Sequence, residues 1–180
     1  MRVLFVRLDA KRYGIGIRRD GRNDVGVDVP VRPGPGSAAV PHDLVHFVVE
    51  EQAGLTLGIF GQLAAGGRVG QFFQPPPEQR SQHERRRSDR LGRAGRADVA
   101  RSEQLAALVD GSGQLAADAD AVTGDPGLTN RIANRLSEVL AHWERVPAGQ
   151  SMLMQWPLEL TIRHGRLPAV RPLTHRRTGS

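Results

Sequence analysis

The sequence contains no cysteine among its 180 residues. Disulfide bonds, thiolate metal sites and a cysteine nucleophile are therefore excluded, and the absence is typical of a reducing compartment. Aromatic residues make up only 4% of the chain and hydrophobic residues 39%, so we expect a modest hydrophobic core. The length suits one domain, or one domain with a disordered segment.

Long apolar runs are also missing. The most apolar region, residues 44–73, is interrupted by Glu50, Glu51 and six glycines, and it lacks the roughly 20 continuous apolar residues of a membrane-spanning helix. At the N-terminus, Arg7 and Asp9 follow too short an apolar run for a secretory signal. The sequence therefore predicts a soluble, cytoplasmic protein that does not contact membranes.

Lysine is almost absent, because Lys11 is the one lysine among 25 basic residues and the others are arginines. The formal net charge is +6 and the pI about 11.2, values that favour a nucleic-acid partner. GC-rich codons, however, give the same excess of arginine, glycine, alanine, proline and valine whatever the function is. The charge alone therefore does not identify a basic binding face.

Alternating apolar residues predict antiparallel strands near both ends of the chain. The pair Asp20-Gly21 lies between two of these runs and is a hairpin signal, because glycine accepts a positive φ angle. Pro30 places the end of its run at a sheet edge or a strand end. The predicted strands cover residues 3–8, 13–17, 25–31 and 158–162.

Apolar stripes with helical spacing predict helices between the strands. Pro41 suits the first position of a helix that ends at Gly54, and a short second helix covers residues 57–65. Asp98 caps a third helix that ends near residue 109. The clearest stripe covers about residues 128–145 and is followed by Pro147.

These elements predict an α+β fold, in which N-terminal hairpin strands and a C-terminal strand form an antiparallel sheet with three to four helices. Residues 1–74 contain the first strands and a helix pair, residues 75–97 form a linker, and residues 98–180 contain the later helices and the last strand. We expect the two outer parts to pack as one domain. The alternative is two small domains of fewer than about 90 residues each.

Residues 75–97, the Arg-rich segment, contain Leu91 as their one large apolar residue, with seven arginines and three acidic residues. So little apolar surface does not offset the entropy of ordering, which predicts a disordered linker. Alternatively, the segment binds nucleic-acid phosphates, although it lacks interleaved aromatic residues for base stacking. The arginines concerned are Arg80, Arg85, Arg86, Arg87, Arg90, Arg93 and Arg96.

His42 and His46 are four residues apart at the start of the first predicted helix, so they share a helix face with Glu50. The order His42-Asp43-x-x-His46 is close to the zinc pattern H-E-x-x-H, with an acid that is one methylene shorter. In this interpretation the two histidines bind zinc, and Asp43 or Glu50 acts as the base. A third ligand has to come from elsewhere, and the candidates are His142, His164 and His175.

A purely structural role for the histidine pair is the alternative that the sequence favours. The rings then pack against the sheet edge, or they lie at the surface and bond to Asp43 and Glu50. A helical histidine pair without an identified third ligand is more often of this kind. The chain also has no Gly-x-Ser-x-Gly motif and no phosphate-binding loop motif.

The stretch PHDLVHFVVEEQAGL, followed by GIFGQLAAGG, resembles a segment shared by small uncharacterised proteins of GC-rich bacteria. The resemblance covers about a quarter of the chain. That group implies no activity, cofactor or ligand, so the resemblance assigns no functional residue.

Three hypotheses for the function follow from the sequence. The first is a non-catalytic interaction or accessory module that binds an unidentified protein partner, and this hypothesis leads. The second is a metal-binding protein or metal-dependent hydrolase that uses His42 and His46, with zinc as the metal. The third is an accessory protein that binds nucleic acid through the Arg-rich segment.

Overall fold

An antiparallel sheet of four strands forms one layer of the protein. The computed structural model describes residues 1–19, 21, 24–70, 73–79 and 81–162. Neighbouring strands pair in the order β3-β2-β1-β4, so the N-terminal strand lies inside the sheet and pairs with both its hairpin partner and the last strand. The strands are β1 (Arg2–Arg7), β2 (Tyr13–Arg18), β3 (Val29–Pro33) and β4 (Ser151–Gln155).

Six α-helices in the described part of the chain cover one face of this sheet or pack on one another. Two short 3₁₀ helices, at Pro77–Gln79 and Leu158–Leu160, accompany them. The predicted α+β fold with an antiparallel sheet is therefore confirmed. The helices are α1 (His42–Ala53), α2 (Ile59–Ala64), α3 (Gln82–Ala94), α4 (Arg96–Ala106), α5 (Ala119–Thr123) and α6 (Pro126–Glu144).

The period of two along the strands separates a buried sheet face from an open one. Val3 and Phe5 of β1 are fully buried, whereas Leu4 between them pairs with Gly16 on one side and Leu153 on the other. Over β2, the open face is partly covered by the side chain of Val31 from β3. A Cβ at Gly16 would lie 2.9 Å from a methyl group of Val31, so glycine at position 16 leaves room for that side chain.

Helix α1 lies at the centre of the hydrophobic core. Its Phe47 ring packs edge-on against Phe5 of the sheet, Phe60 of α2 and Trp156 after β4. The main cluster of buried residues draws on both halves of the chain, from Met1 to Trp156. The helix begins after Pro41 and ends at Gly54, whose φ angle of 67° closes it in the left-handed conformation, as predicted.

The last strand joins the N-terminal sheet as predicted, but it lies earlier in the sequence than residues 158–162. Met152 and Met154 of β4 are buried with Trp156, so the inward face of the strand is set by these three residues. Residues 158–160 form a 3₁₀ helix instead, and Leu158 is 52% exposed. Pro157 separates the two stretches, because it has no N–H to continue a strand ladder.

The third strand also differs from the prediction of residues 25–31. It is β3, which begins at Val29 and ends at Pro33 at the edge of the sheet. Pro30 and Pro33 fit this edge position, as the sequence predicted for Pro30. Asp20 of the predicted hairpin turn lies outside the described residues.

The prediction that the Arg-rich segment is disordered is wrong, since residues 82–94 form α3. Ser81 caps this helix: its hydroxyl accepts the Glu84 N–H, and the Glu84 carboxylate accepts the Ser81 N–H. Glu84 also pairs with Arg68 at 2.8 Å, and Leu91 is buried in a small cluster with Leu57. Capping and tertiary contacts thus order a segment that has little apolar surface.

No helix among the described residues combines the length and the apolar character that crossing a bilayer requires.

The capping box of α3 provides a test of this assignment. Replacing Ser81 by Ala removes the hydroxyl that accepts the Glu84 N–H and leaves only the bond from the Ser81 N–H to the Glu84 carboxylate, so we expect a loss of about 1 kcal/mol in helix stability. Hydrogen exchange of the amides in residues 84–94 should accelerate. Gln82→Ala, an exposed change at the next position, is the control and should leave exchange unchanged. Unprotected amides throughout this segment in the unaltered protein would contradict the assignment.

Candidate metal centre

The first turns of α1 bring the two predicted histidines together. The Nε2 atoms of His42 and His46 are 3.1 Å apart, and the ring centroids are 4.5 Å apart. His42 is exposed, while His46 is only 1% exposed beneath it. The prediction that both imidazoles point the same way from one helix is therefore confirmed. The sequence does not show that one ring is buried, because that burial comes from elements far along the chain.

A third metal-ligating side chain comes from α4, which packs against α1. The Glu103 Oε2 atom lies 3.7 Å from His46 Nε2, and ligand atoms of His42, His46 and Glu103 all lie within 4.8 Å of one another. The sequence analysis missed Glu103. Among the histidines considered instead, His142 is exposed on α6 and does not belong to this group. His164 and His175 lie outside the described residues.

The buried side of His46 is held by Ser102, the neighbour of Glu103. The His46 Nδ1 atom is 2.8 Å from Ser102 Oγ, and that hydroxyl donates to Glu50 Oε1 at 2.8 Å. Because the Ser102 hydroxyl donates its one hydrogen to Glu50 Oε1, it accepts from His46 Nδ1–H. The neutral ring of His46 therefore presents the lone pair of Nε2 toward His42 and Glu103. Ser102 is itself fully buried.

Glu50 anchors this chain of hydrogen bonds inside the protein. Its two carboxylate oxygens accept the N–H groups of Ile59 and Phe60, each at 2.8 Å, at the start of α2. Burial raises the pKa of Glu50 from 4.5 to about 7, although these bonds and the bond from Ser102 act in the opposite direction. A Cβ at Gly58 would lie 2.4 Å from the carboxylate carbon, so glycine is needed there.

Asp43, the other carboxylate considered as a base, is also engaged elsewhere. Its Oδ2 atom accepts the Tyr13 hydroxyl at 2.6 Å, and its side chain is buried. Burial raises the pKa of Asp43, with the Tyr13 hydrogen bond and the charge of His42 acting against that rise. The two carboxylates therefore tie α1 to β2 and to α2, and neither of them is exposed to solvent.

The electrostatics of the histidine pair favour a neutral, coordinating ring. Burial, and then the neighbouring charge of His42, lower the pKa of His46 from 6.5 to about 4. At neutral pH the His46 ring is consequently neutral, and its Nε2 lone pair, which accepts a hydrogen bond from His42 Nε2–H, is the one that a metal ion requires. Two nitrogen donors and one carboxylate oxygen thus face one another at the surface, and the inner donor is oriented by a buried hydrogen-bond chain.

No protein-family model, curated protein or solved structure matches the chain.

The pKa of Glu50 predicts how stability depends on pH. In the folded state Glu50 keeps its proton up to about pH 7, whereas in the unfolded state it releases the proton near pH 4.5. Between these values the folded state binds more protons, so the free energy of unfolding falls as pH rises, by on the order of 3 kcal/mol. The contribution is complete below pH 4.5 and lost above about pH 7.

Glu50→Gln isolates this contribution, because other groups such as His46 change protonation in both proteins. Urea unfolding from pH 4 to 8 with a chelator present measures the stability difference between wild type and variant. The stability advantage of the wild type should shrink as the pH rises, on top of a constant loss, because the Gln amide matches the α2 N–H groups poorly. A difference that does not vary with pH would contradict the role given to burial.

Proposed function

We propose that the protein binds a zinc ion through the Nε2 atoms of His42 and His46 and a carboxylate oxygen of Glu103. The observation that carries the proposal is the convergence of these three donors at the surface. Tetrahedral zinc bonds of about 2.0–2.1 Å place ligand atoms about 3.3 Å apart. The separations of 3.1 Å and 3.7 Å from His46 Nε2 lie on either side of this value, and the three ligand atoms together lie within 4.8 Å of one another.

The hydrogen bonds behind His46 support the proposal independently. Metal-bound histidines commonly donate their other ring N–H to a carboxylate, a carbonyl or a water, which fixes the tautomer. Here the N–H goes to Ser102 Oγ, which is bonded in turn to Glu50. A histidine that only filled core space would not need its second nitrogen directed to the surface beside another histidine and a carboxylate.

Metal binding is supported better than metal-dependent hydrolysis. Three protein ligands leave a fourth tetrahedral position for water, as in catalytic zinc sites. However, Asp43 and Glu50, the bases that the sequence suggested, are held in buried hydrogen bonds to Tyr13 and to the start of α2. The proposal is therefore limited to binding the ion.

Binding of a protein partner, the leading hypothesis from the sequence, stays a prediction. The most exposed apolar side chains on the sheet are Val31 and Leu153, at 45% and 52%, and they lie on or beside its open face. None of the described residues indicates what would cover that face. Metal binding is the better supported function because the donors of the site specify a ligand.

Calorimetric titration with zinc after treatment with a chelator tests the proposal. We expect one site per chain, and a zinc concentration of 100 Kd should stabilise the fold by about 2.7 kcal/mol. For a chain of this size that corresponds to a rise in Tm of about 5–10 °C. His42→Ala and Glu103→Gln should each abolish both effects, because each removes a donor at the surface.

His142→Ala is the matched control, since it removes an exposed histidine from α6. It should leave the affinity and the Tm shift as in the wild type. Zinc binding that survives His42→Ala, or that is lost equally in His142→Ala, would rule out the site.

Ser102→Ala tests the buried hydrogen-bond chain. The variant keeps all three ligands but leaves His46 Nδ1 without its acceptor, so the tautomer is no longer fixed. We expect zinc affinity to fall about 10–100-fold, as for other partners of metal-bound histidines. Ser88→Ala, which removes a hydroxyl from α3 that accepts the Arg68 N–H, should leave zinc affinity unchanged. Equal affinities for Ser102→Ala and wild type would show that Ser102 does not orient His46.

A further inference from the structure

A large cavity lies on a different surface, along α3. It is an open groove of about 1170 Å³, with α3 on one side, Arg68, Gly70 and Gln74 on the other, and Val99 of α4 at one end. None of the described residues that line it is aromatic. Neither His42 nor His46 of the metal centre contributes to this lining.

Positive charge dominates the α3 side of the groove. Arg85 and Arg93 of α3 and Arg96 of α4 line it and are exposed. None of these three forms an ion pair with the described residues, whereas Arg68 opposite them is paired with Glu84. Asp89 is the one acidic residue in the described lining. The groove therefore holds three guanidinium groups that have no ion pair among the described residues and can approach an anion.

The arginines are spread along the groove and do not surround one point. Arg85 and Arg93 are eight residues apart on one helix, which corresponds to about 12 Å along its axis. This distribution suits an anion with repeated charges, because guanidinium groups pair with phosphate oxygens through two parallel hydrogen bonds. A single small anion would need the positive charges to converge.

The floor of the groove carries a polar acceptor. Gln62 is 3% exposed and donates through Nε2 to the Leu57 carbonyl. Its Oε1 atom lies 3.9 Å from the position that a Cβ at Gly92 would take, and both residues line the groove. Among the described residues nothing donates to this oxygen. Gln62 Oε1 can therefore accept a hydrogen bond from a ligand that bears N–H or O–H groups beside its phosphates.

We infer that the groove binds the phosphodiester backbone of a nucleic acid. The arginines neutralise successive phosphates, and Gln62 accepts a hydrogen bond from a base or a sugar. Because the described lining offers no aromatic side chain for stacking, the affinity comes mainly from phosphate contacts, so it depends weakly on sequence and steeply on salt. Of the seven arginines that the sequence suggested, the inference assigns Arg85, Arg93 and Arg96 to the groove. Arg80 lies outside the described residues.

Fluorescence anisotropy with labelled 20-nucleotide DNA and RNA, single-stranded and duplex, tests the inference on the full chain with a chelator present. The double variant Arg85→Ala/Arg93→Ala removes two charges that line the groove. The matched control, Arg86→Ala/Arg90→Ala, removes two exposed charges from the same helix outside the groove. The groove variant should lose at least about tenfold in affinity and about two in the slope of log K against log salt.

The control variant should change the affinity by less than about threefold, because its charges act only through the screened field. Equal losses in the two double variants would overturn the inference, since they would indicate a diffuse charge effect. Absence of binding by the wild type to all four nucleic acids at 50 mM salt would also overturn it. If the wild type binds, comparison of its affinities for the four nucleic acids shows whether the groove prefers DNA or RNA, and single strands or duplexes.

Gly92→Glu provides a second variant that does not depend on removing arginines. A side chain at this position meets only Gln62 Oε1 near its Cβ, at 3.9 Å, so the fold should tolerate it. The added carboxylate projects into the groove and should weaken binding at least as much as the loss of two arginines. Unchanged affinity in this variant, with circular dichroism as in the wild type, would place any nucleic acid elsewhere on the protein.

Discussion

The structure depends most on one buried carboxylate. Glu50 on α1 accepts two N–H groups at the start of α2 and the hydroxyl of Ser102 on α4, so three helices are joined at a single side chain. Burying a carboxylate is costly unless it is fully hydrogen-bonded, and removing one partner leaves that cost uncompensated. The same chain of bonds orients His46, so the geometry of the surface donors follows from the way the helices are held together.

Local patterns in the sequence predict the elements better than they predict the site. The spacing of His42 and His46 and the stop at Gly54 are properties of one helix, and the structure agrees with both. Pro41, predicted at the first helical position, is instead the extended residue before the helix, which begins at His42. Glu103 is 57 residues after His46, and only the packing of α4 against α1 brings it near. The helix that carries Glu103 is predictable from its apolar stripe, but its neighbour across the interface is not.

Composition alone gives a wrong prediction for residues 75–97, because it indicates a disordered linker where the structure has a helix. A capping pattern, Ser81-x-x-Glu84, was present in the sequence and indicates the start of a helix. Leu91 had no visible apolar partners within the segment, because Leu57 and Ala65 of its cluster lie much earlier in the chain. The last strand lies earlier than predicted because alternation does not distinguish the two stretches. Met152, Met154 and Trp156 alternate as regularly as the residues after Pro157 do.

The unequal burial of the two imidazoles would have a kinetic consequence for the zinc ion that we propose. His46 is fixed from behind and stays in place, whereas His42 and Glu103 stand at the surface, where side-chain rotations take picoseconds to nanoseconds. An ion bound as proposed would therefore arrive and depart through rotation of the two outer ligands, without any opening of the fold. The proposed site would exchange its ion with the surroundings rather than trap it permanently.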